Sequence, residues 1–344
     1  MMIKTHTLVI NDNKISPPPH ELNLQLHATD PDTPEPLSKK VSNPYDFSII
    51  HKKIRFRSLT LAPESLSTIK AYGAEPWYNE SDWKESSKVK NLTTIDGGAQ
   101  FELSRITSGY QMFFNCTNLT SIDLSNFDTS KVINMNSMFG NCFNLATIDL
   151  SSFNTSKVII MNSMFSNCFN LATIDLSSFN TSKVTNMESL FHWNRALKSI
   201  DLSNFDTSKV TNMSYMFNTC DSLKSIDLSN FDTSNVTIMN QMFVNCFNLV
   251  TLDISNFDTS KVTTMYKMFA ACRSLKTIIC PNGFDCSNVT NMGEMFTACP
   301  TFTSPLHFKN VKSSLIESGS SPDDWIIKGT DGARGVHYIV DSVI

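Results

Sequence analysis

The sequence predicts an α/β repeat fold: a right-handed solenoid with a parallel β-sheet on its concave face, short helices on its convex face, and non-repeat caps at both ends. Three observations predict it. A Met-Phe pair, once Leu-Phe, returns at residues 112, 138, 164, 190, 216, 242, 268 and 295, every 26 residues until one inserted residue lengthens the last step. A period of about 20 to 50 residues marks a solenoid or an array. Within each period a short apolar–polar alternation reads as a strand, and apolar residues spaced by three and four read as a helix. With 344 residues, 41% of them apolar, the chain can bury a sizeable core.

Residues 1–45 carry Ser16-Pro-Pro-Pro-His20 and Asp30-Pro-Asp-Thr-Pro-Glu-Pro36, the composition of an extended, proline-rich arm. Residues 46–88 follow as an N-terminal cap, with a strand expected in His51–Leu61 and with Trp77, Tyr78 and Trp83 available to cover the first repeat. The solenoid occupies 89–303 in about eight repeats, the first of them divergent: Val89-Lys-Asn-Leu92-Thr-Thr-Ile95-Asp96 keeps the frame with Val89 in place of a cysteine. In each repeat the segment typified by Leu119-Thr-Ser-Ile122-Asp123-Leu124 alternates as a half-buried strand. The next residues, Ser125-Asn126-Phe127-Asp128-Thr129-Ser130, suit a turn and a helix N-cap. Val132, Met135, Met138 and Phe139 then mark one face of a short helix. Stacking is obligatory, because one unit cannot bury its apolar face alone. The frame is that of a leucine-rich-repeat solenoid, and eight strands spaced by about 4.8 Å make a face about 35 Å long. Residues 304–344 are expected as a C-terminal cap or a hairpin, with two strands around the Gly-rich loop of Asp324–Val340.

The pieces MF-x-x-C, L-x-x-IDLS and F-D-T-S-K-V-x-x-M resemble the BspA-like leucine-rich-repeat family of bacterial and protist surface proteins, over about residues 89–303. The resemblance implies surface-exposed adhesion to a protein or glycan on a host or neighbouring cell, at the cell surface or outside it, without catalysis. Such repeats also serve a second expectation, a structural or receptor-binding component of a virion or other large assembly, with the N-terminal arm as the attachment segment.

Charge narrows the function classes. A formal net charge of −4 with no long basic run argues against duplex nucleic acid as a partner. The sequence has no apolar stretch long enough to span a membrane, and its start lacks the apolar core of a secretory signal. Neither a metal nor another cofactor is expected, because the histidines are scattered and no nucleophile or metal motif occurs.

The candidate site residues follow from the ladders. Asp123, Asp149, Asp175, Asp201, Asp227 and Asp253 fall between inward apolar residues and so line the concave face. Six like charges in register repel. Either neighbouring hydroxyls and lysines such as Lys198 and Lys224 screen them, or they form an acidic strip for a basic partner. Lys131, Lys157, Lys183, Lys209 and Lys261 form a second ladder, expected to pair with a neighbouring repeat's aspartate. The seven cysteines at the repeat position of Cys116 read as small core hydrophobes. Cys280 and Cys286 flank the inserted residue and could staple that loop as a disulfide. Repeat four alone, Leu190-Phe191-His192-Trp193-Asn194-Arg195-Ala196, abandons MF-x-x-C. His192, Trp193 and Arg195 are there either as local repacking or as a partner-binding anchor, Trp and Arg being enriched in hot spots.

Overall fold

The computed structural model describes residues 108–122, 124, 127–300, 302–316 and 338–344, together with the backbone of short strands between residues 6 and 101. Repeats are counted from the Met112 pair. β1 (His6–Ile10) pairs antiparallel with β2 (Leu24–Ala28), so the segment expected as an extended arm holds a two-stranded sheet. β3 (Ile54–Arg55) pairs in parallel with β5 (Thr94–Asp96), β4 (Ser58–Leu59) with β6 (Gln100–Phe101), and β5 with β7 (Ser121–Ile122). The parallel stack thus begins before residue 89, within the segment expected as a cap. The proline-rich stretches and Trp77, Tyr78 and Trp83 lie outside the described residues. At the other end, β8 (Thr251–Asp253) pairs in parallel with β9 (Thr277–Ile279). β10 (Phe284–Asp285), β11 (Leu306–Lys309) and β12 (Tyr338–Val340) form a further parallel sheet in that order. β12, expected as one arm of a hairpin, therefore pairs in parallel with β11, and residues 317–337 lie outside the described ones.

Among the described residues there is no α-helix, and the helical element present is a 3-10 turn at Ser313–Leu315. The expected helices are replaced by turns that bond from repeat to repeat. An α-helix commits each interior N–H to the carbonyl four residues back. Here Met138, Gly140 and Cys142 donate to the carbonyls three residues back, at Met135, Ser137 and Phe139. The alternate N–H groups, of Met135, Ser137, Phe139 and Asn141, cross to Ile160, Asn162, Met164 and Ser166 in the next repeat at 2.8–3.0 Å. Ser137 and Asn141 lie in the left-handed region, with φ of 51° and 61°, and a pair four residues apart recurs as far as Glu294 and Ala298. A left-handed third residue closed by a three-residue-back bond is the pattern of a type II turn. The three-residue spacing of Val132, Met135 and Met138 fits such turns as well as a helix, and the Asn134, Asn136 and Ser137 between them are weak helix formers.

The longest parallel ladder consequently lies on the side where helices were expected. Ser108, Asn134, Ile160, Asn186, Asn212, Ile238, Thr264 and Asn291 bridge one to the next without interruption. The L-x-x-I-D-L side is bonded as strands only toward its ends. Between them the inter-repeat bonds are few and long, such as Ala146 N–H to Thr120 C=O at 3.4 Å and Lys198 N–H to Ala172 C=O at 3.3 Å.

The core is a set of columns. Val132, Met135, Met138, Phe139, Cys142 and Leu145 are fully buried, as are their counterparts in later repeats apart from the half-buried Cys299 of the last one. Phe139, Phe165, Phe191, Phe217, Phe243 and Phe269 stack ring on ring with centroids 5.7–6.0 Å apart. Each such pair contributes about 0.5–1.5 kcal/mol beyond its buried area.

Candidate functional site

Asp149, Asp175, Asp201, Asp227 and Asp253 are exposed and in register, while Asp123 lies outside the described residues. Each accepts, at 2.9 Å, the N–H of the serine two residues on: Ser151, Ser177, Ser203, Ser229 and Ser255. These turns hold the carboxyls of Asp149, Asp175, Asp201 and Asp227 below their ordinary range, first through the backbone N–H and then through the serine hydroxyl. The charge of each is therefore solvated within its own repeat. Among the described residues, Lys198 and Lys224 form no ion pair with the strip. Nor does the second ladder pair as expected. Lys131, Lys157, Lys183 and Lys209 form no ion pair among the described residues, and Lys261 reaches only the amide oxygen of Asn235, at 2.8 Å.

Cys280 and Cys286 are both free thiols, Cys286 buried and Cys280 half-buried, and the expected staple between them is not formed. The columnar cysteines are more than small hydrophobes. Cys142, Cys168, Cys220, Cys246, Cys272 and Cys299 point their sulfur at a phenylalanine carbonyl of the preceding repeat, at 2.9–3.3 Å. Burial pushes the Cys168, Cys286 and Cys299 thiols up to about 12 and Cys280 up to about 11. Among the described residues no cluster of three His, Cys, Asp or Glu side chains is placed to hold a metal ion.

Repeat four breaks these columns at one place. Asn194 takes the cysteine position, fully buried, and its Nδ2 donates to the Phe165 carbonyl at 3.0 Å in the manner of the S–H groups above and below. The substitution keeps the donor but adds an acceptor, and Asn194 Oδ1 is buried without a partner, as is Asp221 Oδ1 in the next repeat. A lone buried acceptor costs about 1–3 kcal/mol. Trp193 stands with φ of 61° where repeats one to three place Asn115, Asn141 and Asn167, so a bulky ring occupies a left-handed position. Its ring lies 5.8 Å from Phe169 and 6.0 Å from His192, and His192 is in turn 5.8 Å from Tyr215.

Arg195 lies over this aromatic cluster. Its guanidinium carbon is 4.4 Å from the Trp193 centroid and 5.5 Å from that of Phe169, and its Nε is 3.8 Å from Asp221 Oδ2. The side chain is still 48% exposed. Burial pushes His192 down to about 4, so the imidazole is neutral near pH 7, and burial raises Asp221 against the pull of Arg195. The arrangement is an aromatic bed with one half-exposed guanidinium lying over it. The structure brings the three predicted residues of this site together and adds Phe169, Tyr215 and Asp221. The aromatic at 169 was visible in the sequence only as one member of a Phe-Phe-Arg-Asp column at 143, 169, 195 and 221.

Comparison with known proteins gives two findings. Four overlapping segments, 83–199, 148–247, 169–276 and 221–318, match a family described as "Mycoplasma protein of unknown function, DUF285". A crystal structure of a leucine-rich repeat protein from Bacteroides ovatus ATCC 8483 is 17% identical with a TM-score of 0.31, over 64% of this chain and 70% of that one. No curated protein matches.

Proposed function

The chain belongs to the DUF285 family, whose matches together cover residues 83–318, and from that premise we infer that it is a non-catalytic, surface-exposed binding protein of the BspA-like, adhesin type. It recognises a protein or glycan on a host or neighbouring cell through its solenoid face. In this reading the solenoid is right-handed, the aspartates line the concave side, and the Trp193–Arg195 cluster of repeat four is the anchor. The observation that carries it is that repeat four alone accepts a left-handed Trp193 and an orphaned Asn194 oxygen. Strain and lost hydrogen bonds of this kind persist where they serve function. A hydrolytic role is disfavoured because the strip aspartates share one environment, with no pair pushed apart in pKa.

The acidic strip steers basic partner surfaces toward the anchor, a contribution to on-rate more than to affinity. A screen of the full chain on protein and glycan arrays identifies the partner. W193A/R195A then loses at least tenfold in affinity, on the scale of two hot-spot residues, with an unchanged circular dichroism spectrum. Unchanged binding by that variant contradicts the anchor. Replacing Asp149, Asp175, Asp201 and Asp227 by Asn slows association at low salt. A second reading, a component of a virion or other large assembly, is favoured by the two charge ladders that lack ion-pair partners. Recovery of the chain in purified particles supports it, and its removal by proteolysis of intact cells supports the adhesin.

A further inference from the structure

Repeats two and three, nearly identical from Met138 to Ser163 and from Met164 to Ser189, differ from the other repeats in how their charges are opposed. Along the lysine edge, repeats one, four, five and six place Asp128, Asp206, Asp232 and Asp258 three residues before the lysine position, whereas repeats two and three place Asn154 and Asn180 there. Asp128 acts on both Lys131 and Lys157, and Asp206 on Lys209. Along that edge Lys131, Lys157 and Lys183, all exposed, thus have only the carboxylate of Asp128 beside them. On the other face, repeats four and five carry Lys198 and Lys224 three residues before their aspartates, whereas repeats two and three carry Ala146 and Ala172, and repeats one and six carry Thr120 and Val250. The charges acting on Asp175 are those of Asp149 and Asp201, which repel it.

Exposed apolar side chains gather on the same lysine edge. Ile133 and Ile159, 44% and 40% exposed, stand two residues after Lys131 and Lys157, where later repeats place Thr185, Thr211, Thr237 and Thr263. Two carboxylates with no lysine three residues before them, three ammonium groups with only Asp128 near them on that edge, and a pair of exposed isoleucines fall within neighbouring coils. Each pair of like charges is separated by one coil, about 5 Å. A partner that matches two charges at that spacing, with opposite sign, is offered by another solenoid of the same rise.

We propose that a second copy of this chain docks here, with Lys157 and Lys183 of one copy, flanked by Ile133 and Ile159, set against Asp149 and Asp175 of the other. The contact is heterologous, so every added copy leaves one free edge of each kind and the molecules extend into rows rather than closing as a dimer. Two or three coils form less than a standard interface, so a single contact is weak and rows hold by repetition on a surface. The proposal does not involve the repeat-four cluster; it shares Asp149 and Asp175 with the acidic strip, but self-association is read with no partner present, so its failure and the failure of the binding function are distinguishable.

Sedimentation velocity of the full chain tests it. At low ionic strength the wild type shows species growing past dimer as concentration rises, and these dissociate at roughly 0.5 M salt, where the Debye length is only a few ångströms. K157E/K183E and D149K/D175K are each monomeric alone, with unchanged circular dichroism because all four positions are exposed, and an equimolar mixture of the two associates again. Wild type that stays monomeric at low salt, association that survives high salt, or a mixture that fails to associate overturns the proposal.

Discussion

Two side chains show how closely the stack is specified at single atoms. Thr207 is buried and its hydroxyl both donates to the Asp232 carbonyl at 2.9 Å and accepts the Asp232 N–H at 2.8 Å. The same two-way bridge recurs at Thr129, Thr155, Thr181, Thr233 and Thr259. T207V should lower stability by about 2 kcal/mol, because it strands both backbone groups of Asp232, while T207S keeps the hydroxyl and loses less. Urea unfolding of the two variants measures the difference. Asn194 shows the opposite case, a polar group in excess of what the column can use. N194C restores the S–H donor of the neighbouring repeats and removes the orphaned oxygen, so it should raise stability by about 1 kcal/mol, read as a higher urea midpoint.

At the scale of the element, the unit is a turn arc rather than a helix, and here the sequence was legible only in part. The 26-residue period, the buried Leu, Ile, Val, Met and Phe columns and the outward aspartates follow from spacing alone, since each depends on which side of the chain a residue occupies. The choice between helix and turn does not, because Val132, Met135 and Met138 at three-residue intervals satisfy both until the N–H groups are assigned partners. Those partners lie 25 residues away, beyond any local pattern. Arg195 and Asp221 were similarly opaque: their meeting depends on stacking adjacent coils, not on any local motif. A left-handed position held by a residue other than glycine costs about 1 kcal/mol or more. Ala271 has φ of 59° and its neighbour Ala270 does not share that region. A271G should therefore stabilise the chain by about 1 kcal/mol and A270G should destabilise it. The contrast between the two midpoints tests the turn assignment directly.

Across the described residues the columns make one continuous core, and its thiols give it a pH signature. Cys168, Cys286 and Cys299 titrate at about 12 when folded against an ordinary value of 9.0. Unfolding releases thiols that ionise at lower pH than the folded ones. Their contribution is thus fully present below about pH 9 and is lost as pH rises from there toward 12. The urea midpoint should fall as pH rises from about 9 toward 11, and a flat profile there would contradict their burial. In so uniform a stack the orphaned Asn194 oxygen and the left-handed Trp193 set repeat four apart, and the function inferred above has repeat four give up stability there for recognition. The direct test writes repeat three into repeat four with L190M, H192S, W193N, N194C, R195F and A196N, turning Leu190–Ala196 into the sequence of Met164–Asn170. Stability and partner binding are then measured together, the partner being the one captured by the wild type on the arrays. The expected result is a chain that unfolds at higher urea and no longer binds. A chain that binds as the wild type does contradicts a recognition role for repeat four.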